Sequence, residues 1–125
     1  MDVLIYGNST EKEILIQHLK TEACTAFRKI RYSHAEDYDF YLKKLRERYY
    51  DIVFILADNA VGMEGVIAAQ TVHPENPIVW FSNDKNFVAQ SYRLGVTYFA
   101  VKPVEKKAVT LALKRCRLKE EKIYE

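Results

Sequence analysis

Short apolar runs alternate with segments of helical periodicity along the chain, and this alternation constrains the fold more than any other feature of the sequence. The runs have the length of strands, and the one at 29–32 is weak and is expected at an edge. Such alternation predicts a parallel sheet with helices on both faces. The predicted strands are residues 3–6, 29–32, 51–56, 78–81 and 96–101.

The run at 51–56 gives the strongest strand signal, because it is apolar without alternation. A strand of this kind is typical of the centre of a parallel sheet, where both faces are covered. We expect one domain over residues 1–125, since no linker, repeat or low-complexity segment interrupts the pattern.

The predicted helices follow from apolar spacing and end signals. Thr10 and Glu13 have the form of a capping box at the first helix. That helix carries an apolar stripe of Ile16, Leu19, Ala23 and Phe27. A loop at 58–65 is expected before a short third helix, and Gly95 is expected to end the fourth. The other helices are predicted at 35–48, 66–72, 85–94 and 105 to about 122.

Composition is that of a globular domain, with 49% hydrophobic and 29% charged residues. The net charge of +2 is too small to indicate nucleic-acid binding, although residues 101–125 hold eight Lys or Arg and four Glu. Cys24 and Cys116 have no metal spacing and are expected to be buried thiols. No leader or membrane span is predicted, so we expect a cytoplasmic protein.

In sheets of this class, functional residues lie beyond the carboxyl ends of the strands, where strand order reverses. Four turns of this sequence occupy such places. They are Gly7-Asn8, Ala57-Asp58, Ser82-Asn83 and Lys102-Pro103.

The sequence resembles a response-regulator receiver domain over residues 2–122. The most specific part is 94–104, LGVTYFAVKPV, which is similar to the last receiver strand with its Lys-Pro ending. The run 77–82, PIVWFS, resembles the fourth strand with its terminal hydroxyl residue. Within receivers, the pattern is most similar to those of LytTR-type transcription regulators. The resemblance implies a flavodoxin-like (βα)5 fold, three layers deep, with strand order 2-1-3-4-5.

The resemblance also implies a set of functional groups. In receivers, two acids after the first strand and one Asp after the third hold Mg²⁺, and that Asp accepts a phosphoryl group from a histidine kinase. A lysine and a hydroxyl residue contact the phosphoryl oxygens. Lys102 with Pro103 matches the lysine, Ser82 matches the hydroxyl residue, and Phe99 falls at the aromatic switch position.

The acidic residues of the pattern are missing. Gly7 and Asn8 stand where the acidic pair is expected, so a divalent cation loses most of its ligands. Alignment through Gly65 places Ala57 at the phosphoacceptor position, whereas alignment from Tyr50-Asp51 places Leu56 there. Asp58 comes one residue later, and strand alternation would point its side chain elsewhere.

Each remaining match also has a purely structural interpretation. Lys102 could form a salt bridge with a loop carboxylate such as Asp58, and this is the interpretation we favour. Ser82 could cap the following helix, in competition with Asn83 and Asp84. Phe99 could be a simple packing residue.

Our leading interpretation is an atypical receiver, or pseudo-receiver, that is not an enzyme, needs no cofactor and regulates through protein contacts. An alternative is a phosphorylatable receiver that uses Asp58 and Mg²⁺, as the N-terminal part of a transcription regulator. A remote third interpretation is a nucleotide or flavin site at the turn 7–10.

Expected partners are a histidine kinase, an effector domain or a second copy through the fourth helix, fifth strand and fifth helix. Neither nucleic acid nor membrane is an expected partner.

Overall fold

The computed structural model describes the backbone of residues 1–22 and 29–124, and side chains up to residue 117 within those ranges. The described residues form one parallel sheet of five strands in the order β2-β1-β3-β4-β5. The strands are β1 Asp2–Tyr6, β2 Arg31–Ala35, β3 Ile52–Ile55, β4 Ile78–Ser82 and β5 Tyr98–Val101. The helices are α1 Ser9–Thr21, α2 Tyr38–Glu47, α3 Asn59–Val72, α4 Val88–Arg93 and α5 Lys106–Tyr124. The predicted fold class and strand order are confirmed.

The sheet separates two cores. One contains α1 and α5, whose Leu15, Leu19 and Val109 pack beneath alternate residues of the central strands. The other contains α2 and α3, with Tyr41 and Val66 among its buried residues. All residues of β3 and β4 are buried, which explains why their sequences are apolar without alternation.

The second strand and second helix both begin later than predicted. In β2, Arg31 pairs with Asp2 and Ala35 pairs with Tyr6, so the register with β1 moves the strand to 31–35 instead of 29–32. Helix α2 therefore cannot begin at residue 35. It begins after Asp37, whose carboxylate accepts the Phe40 N–H at 2.9 Å.

Helix α1 is capped two residues before the predicted capping box. Asn8 is the N-cap, and its Oδ1 accepts the Glu11 N–H at 2.8 Å. Its amide also donates to the Glu11 carboxylate, while Glu13 pairs with Lys12. Ile16 and Leu19 are buried as predicted. The expectations for Ala23, Cys24 and Phe27 lie outside the described residues.

The predicted loop at 58–65 is wrong, because α3 runs continuously from Asn59 to Val72. The glycines that indicated a loop serve close packing. A Cβ on Gly62 would lie 2.6 Å from Trp80 Nε1, and one on Gly65 would lie 2.8 Å from the Tyr6 ring. Small residues here let α3 lie directly on the sheet.

The segment predicted as one helix over 85–94 has two parts. Asp84 caps a 3₁₀ turn over Lys85–Phe87, which leads into α4. Gly95 follows at φ +72°, as expected of a glycine that ends a helix. Strand β5 is shorter than predicted and α5 begins one residue later, while Cys116 is buried as expected.

No helix in the described ranges is both long and apolar enough to span a membrane.

Two buried tyrosines give a matched test of this packing. Tyr41 Oη donates to the Gly65 carbonyl at 2.6 Å, and burial raises its pKa. The buried Tyr50 hydroxyl has no hydrogen-bond partner among the described residues. We predict that Tyr41→Phe lowers the free energy of unfolding by about 1 kcal/mol, whereas Tyr50→Phe leaves it unchanged or raises it. Urea denaturation measures both, and equal losses would contradict the assignment.

Candidate functional site

The carboxyl ends of the strands bring together side chains that are distant in sequence. Lys102 follows β5, Asp58 follows β3, and Glu11 lies in the first turn of α1, which follows β1. The three charged groups meet at the same edge of the sheet. This cluster, which we call the Lys102 triad, is the candidate site.

The Lys102 ammonium has three acceptors. It donates to the Leu56 carbonyl at 2.6 Å, and lies 2.7 Å from Glu11 Oε2 and 3.0 Å from Asp58 Oδ1. Its side chain is 12% exposed. The first contact is a hydrogen bond, and the other two are ion pairs. The salt bridge to Asp58 that we favoured on sequence is present.

Asp58 reaches this cluster despite its one-residue displacement, so the expectation that its side chain would point elsewhere is wrong. Strand β3 ends at Ile55, and side chains beyond that residue need not alternate. Asp58 also accepts the Asn83 N–H at 2.9 Å, through the same Oδ1 that faces Lys102. This hydrogen bond joins the turn after β3 to the turn after β4.

The two aligned phosphoacceptor positions provide no side-chain acceptor. Leu56 is buried in the core, and its carbonyl binds Lys102. Ala57 is half-buried, and its carbonyl accepts the Trp80 Nε1–H at 3.0 Å. Asp58 is therefore the carboxylate that this turn presents to Lys102.

Glu11 is the site residue that sequence analysis missed. Its carboxylate is held by the Asn8 amide and Lys102 together. The available signal was an Asn three residues before a Glu at the start of a helix, which is the same capping pattern we placed at Thr10. Placing the cap at Asn8 would have put Glu11 in the first turn, beside the strand ends.

Close contacts with Leu56 require a glycine at position 7. A Cβ there would lie 2.6 Å from Leu56 Cβ and 3.2 Å from the Leu56 backbone. The Gly7 N–H donates to the Ala35 carbonyl at 3.0 Å, and its carbonyl accepts from His34 Nε2 at 2.7 Å. Gly7 is thus fixed between β2 and the end of β3, with no room for a carboxylate.

The remaining predicted residues have packing and capping contacts. Ser82 is fully buried, and its Oγ accepts the Asp84 N–H at 3.2 Å. Phe99 is half-buried, with its ring edge-on to Trp80 at a centroid distance of 5.3 Å. Pro103 is exposed, and the Lys102–Pro103 peptide bond is cis.

The donors at this edge do not fit a divalent cation. Glu11 and Asp58 are the carboxylates of the Lys102 triad, and both face its ammonium. Gly7 has no side chain, and the Asn8 side chain caps α1. Mg²⁺ requires octahedral oxygen ligands and usually one or two free carboxylates. Within the described ranges, no three His, Cys, Asp or Glu side chains are grouped to hold a metal ion.

Solved structures show which fold this is, whereas no protein-family model and no curated protein matches the sequence. The signal receiver domain of an HD domain-containing protein from Pseudomonas fluorescens Pf-5 is similar, with a TM-score of 0.78 and 17% identity, covering 98% of this chain and 91% of that one. A CheY-like response regulator receiver domain protein from Methanospirillum hungatei JF-1 has a TM-score of 0.76 at 16% identity, covering 97% of each chain.

A third similar structure is CheY4, the chemotaxis response regulator of Vibrio cholerae. It has a TM-score of 0.72 at 19% identity, covering 92% of this chain and 97% of that one. At such identities the likeness concerns the fold alone. The chain has the flavodoxin-like receiver fold of CheY-like proteins, and function must be argued from the site.

The close contact at Gly7 generates a prediction with a matched control. Gly7→Ala should lower the free energy of unfolding by about 1–3 kcal/mol more than Gly95→Ala, because the new methyl group overpacks against Leu56. Gly95 also has a positive φ, but a Cβ there would lie 3.6 Å from its nearest neighbour. Chemical denaturation measures both variants. Equal losses would show that an acid could be accommodated at position 7.

Proposed function

We propose that this chain is an atypical response-regulator receiver domain, which acts as a protein-interaction module without aspartyl phosphorylation. The receiver fold and the family resemblance of residues 77–82 and 94–104 support the receiver assignment. The contacts within the Lys102 triad support the proposal that this receiver is atypical.

The observation that carries the proposal is that three oxygens of the protein already contact the Lys102 ammonium, through a hydrogen bond to the Leu56 carbonyl and ion pairs with Glu11 and Asp58. A phosphoryl group on Asp58 would have to compete with Glu11 for that ammonium. It would also need a cation to offset its charge beside Glu11. Position 7 has no room for an acidic side chain, so it provides no carboxylate ligand for that cation. We therefore propose no metal, no cofactor and no catalysis for this site.

Asp58 phosphorylation is the second candidate, and one observation favours it. The Asp58 carboxylate lies 3.0 Å from Lys102 and is about one-third exposed, so it is accessible and next to the matching lysine. In that case the chain would be a receiver of a two-component phosphorelay, as the N-terminal part of a transcription regulator. A similarity to LytTR-type regulators has no support beyond the sequence pattern.

A nucleotide or flavin site at the turn 7–10 has less support. The Gly7 N–H is bound to the Ala35 carbonyl, and the Glu11 N–H is bound to Asn8 Oδ1. Two backbone donors near the helix start are thus already used. A phosphate-binding turn needs such donors free to point at the ligand.

The expected partner surface lies along the edge strand β5, where α4 and α5 come from opposite faces of the sheet. Tyr92, in α4, is 87% exposed. Val101 and Leu111 are also exposed large apolar residues. The surface is charged as well as apolar, since residues 85–117 contain seven Lys or Arg besides Lys102, and one acid, Glu105.

This charge bears on the choice between a second copy and a different protein. Arg115 follows Leu111 by four residues, which places it on the flank of α5 that also bears Leu111. Thr110, on another flank, bonds Glu22 at the end of α1. A two-fold pairing through this surface would bring like charges together, with Glu105 the one acid among residues 85–117 to offset them. We propose a protein partner with acidic groups, in a cytoplasmic setting, in preference to the homodimer.

The absence of phosphorylation is tested by intact-mass spectrometry after incubation with Mg²⁺ and acetyl phosphate. We expect no gain of a phosphoryl group under conditions in which a conventional receiver is modified. A gain that is lost on hydroxylamine treatment and absent from Asp58→Asn would establish the second candidate instead.

Self-association is tested by sedimentation velocity at low and high salt. We expect a monomer at low salt, where repulsion between basic surfaces is least screened. A dimer that forms at low salt and is lost in Arg115→Glu would contradict the proposed acidic partner. Arg46→Glu, on the exposed surface of α2, is the matched control for the change of charge.

A further inference from the structure

Glu11 is one of the two carboxylates that contact the Lys102 ammonium. Its Oε2 is 2.7 Å from the Lys102 ammonium, which is closer than the 3.0 Å of Asp58 Oδ1. Both side chains are largely shielded, with 12% of Lys102 and 21% of Glu11 exposed. An ion pair of this length that is partly shielded from water is stronger than one between exposed side chains.

Asn8 also holds the Glu11 carboxylate in place. The Asn8 amide donates to its other carboxylate oxygen, and its own N–H donates to Asn8 Oδ1. This reciprocal pair belongs to the cap of α1, so the helix start itself holds the carboxylate in position. A ligand that is positioned in advance binds with little loss of conformational entropy.

We propose that Glu11 is a built-in carboxylate ligand of Lys102, and that it keeps phosphate and other oxyanions out of the site. This inference rests on the proposed function and names the residue that enforces it. An incoming phosphate would have to displace Glu11 from Lys102 or lie beside two uncompensated carboxylates. Either arrangement is unfavourable, because like charges repel strongly where water is partly excluded.

The test is the binding of inorganic phosphate to the full chain, followed by NMR of the Lys102 side-chain ammonium. Glu11→Gln removes the charge, yet its amide oxygen can still accept from Asn8. We expect this variant to bind phosphate at least about tenfold more tightly than the wild type, because one of the two carboxylates that face Lys102 has lost its charge.

The matched control is Glu13→Gln. Glu13 lies in the same turn, is exposed and pairs with Lys12 at 2.6 Å, so its replacement changes the net charge equally without touching Lys102. We expect phosphate affinity to stay at the wild-type value in this variant. An equal gain in both variants would assign the effect to net charge and overturn the proposal, as would no gain in either.

Glu11→Asp serves if Glu11→Gln does not fold. It keeps the charge at the helix start but shortens the side chain by one methylene group, so its carboxylate is withdrawn from Lys102. We expect a smaller gain in phosphate affinity, and affinity equal to the wild type would overturn the proposal.

Intact mass after acetyl phosphate treatment separates this inference from the proposed function. Phosphoryl transfer to wild-type Asp58 would refute the proposed function whatever the phosphate titration gives. Unmodified wild-type protein, together with phosphate binding that is unaffected by Glu11→Gln, would refute only the role of Glu11.

Discussion

The Lys102 ammonium joins the ends of three strands through one charged group. It binds the backbone after β3 through Leu56, the side chain after β3 through Asp58, and the start of α1 through Glu11. Because the strands are parallel, their carboxyl ends lie at one edge, and a long side chain from β5 can reach across to them. The arrangement of the turns at this edge depends on that contact.

The balance of charge explains why the cluster of Lys102, Glu11 and Asp58 is stable. Two carboxylates contact one ammonium, so the cluster has a formal charge of −1. Removing one partner of a shielded ion pair leaves a charge without compensation, which costs far more than the pair itself contributes. The Lys102 ammonium contacts three oxygens of the protein, and both carboxylates of the cluster face it. The site is therefore occupied by the protein's own groups.

The fold could be predicted from the sequence because its strands are buried on both faces. Runs such as 78–81 are apolar at every position, and this pattern depends on little beyond local composition. Helix α3 could not be predicted over its full length, because Gly62 and Gly65 are also typical of a loop. Glycine is required at these two positions because α3 packs closely against Trp80 and Tyr6. These are tertiary contacts, which the local sequence does not show.

The candidate site was predicted only in part, for similarly physical reasons. Lys102 and Asp58 were correctly expected to be able to pair, since strand ends converge. The direction of Asp58 was wrong because alternation stops where β3 ends, and sequence does not mark that end to one residue. Glu11 was missed because two capping patterns overlap at the start of α1, and only the contacts of Asn8 distinguish them.

A Mg²⁺ titration followed by amide and lysine side-chain NMR asks whether the acidic edge of the sheet can hold a divalent cation. We predict no saturable shift at Gly7, Asp58 or Lys102 at millimolar Mg²⁺, because both carboxylates face Lys102 and Gly7 provides none. Saturable shifts at these three residues that are lost in Asp58→Asn would show a working metal site and exclude the atypical receiver proposed for this chain.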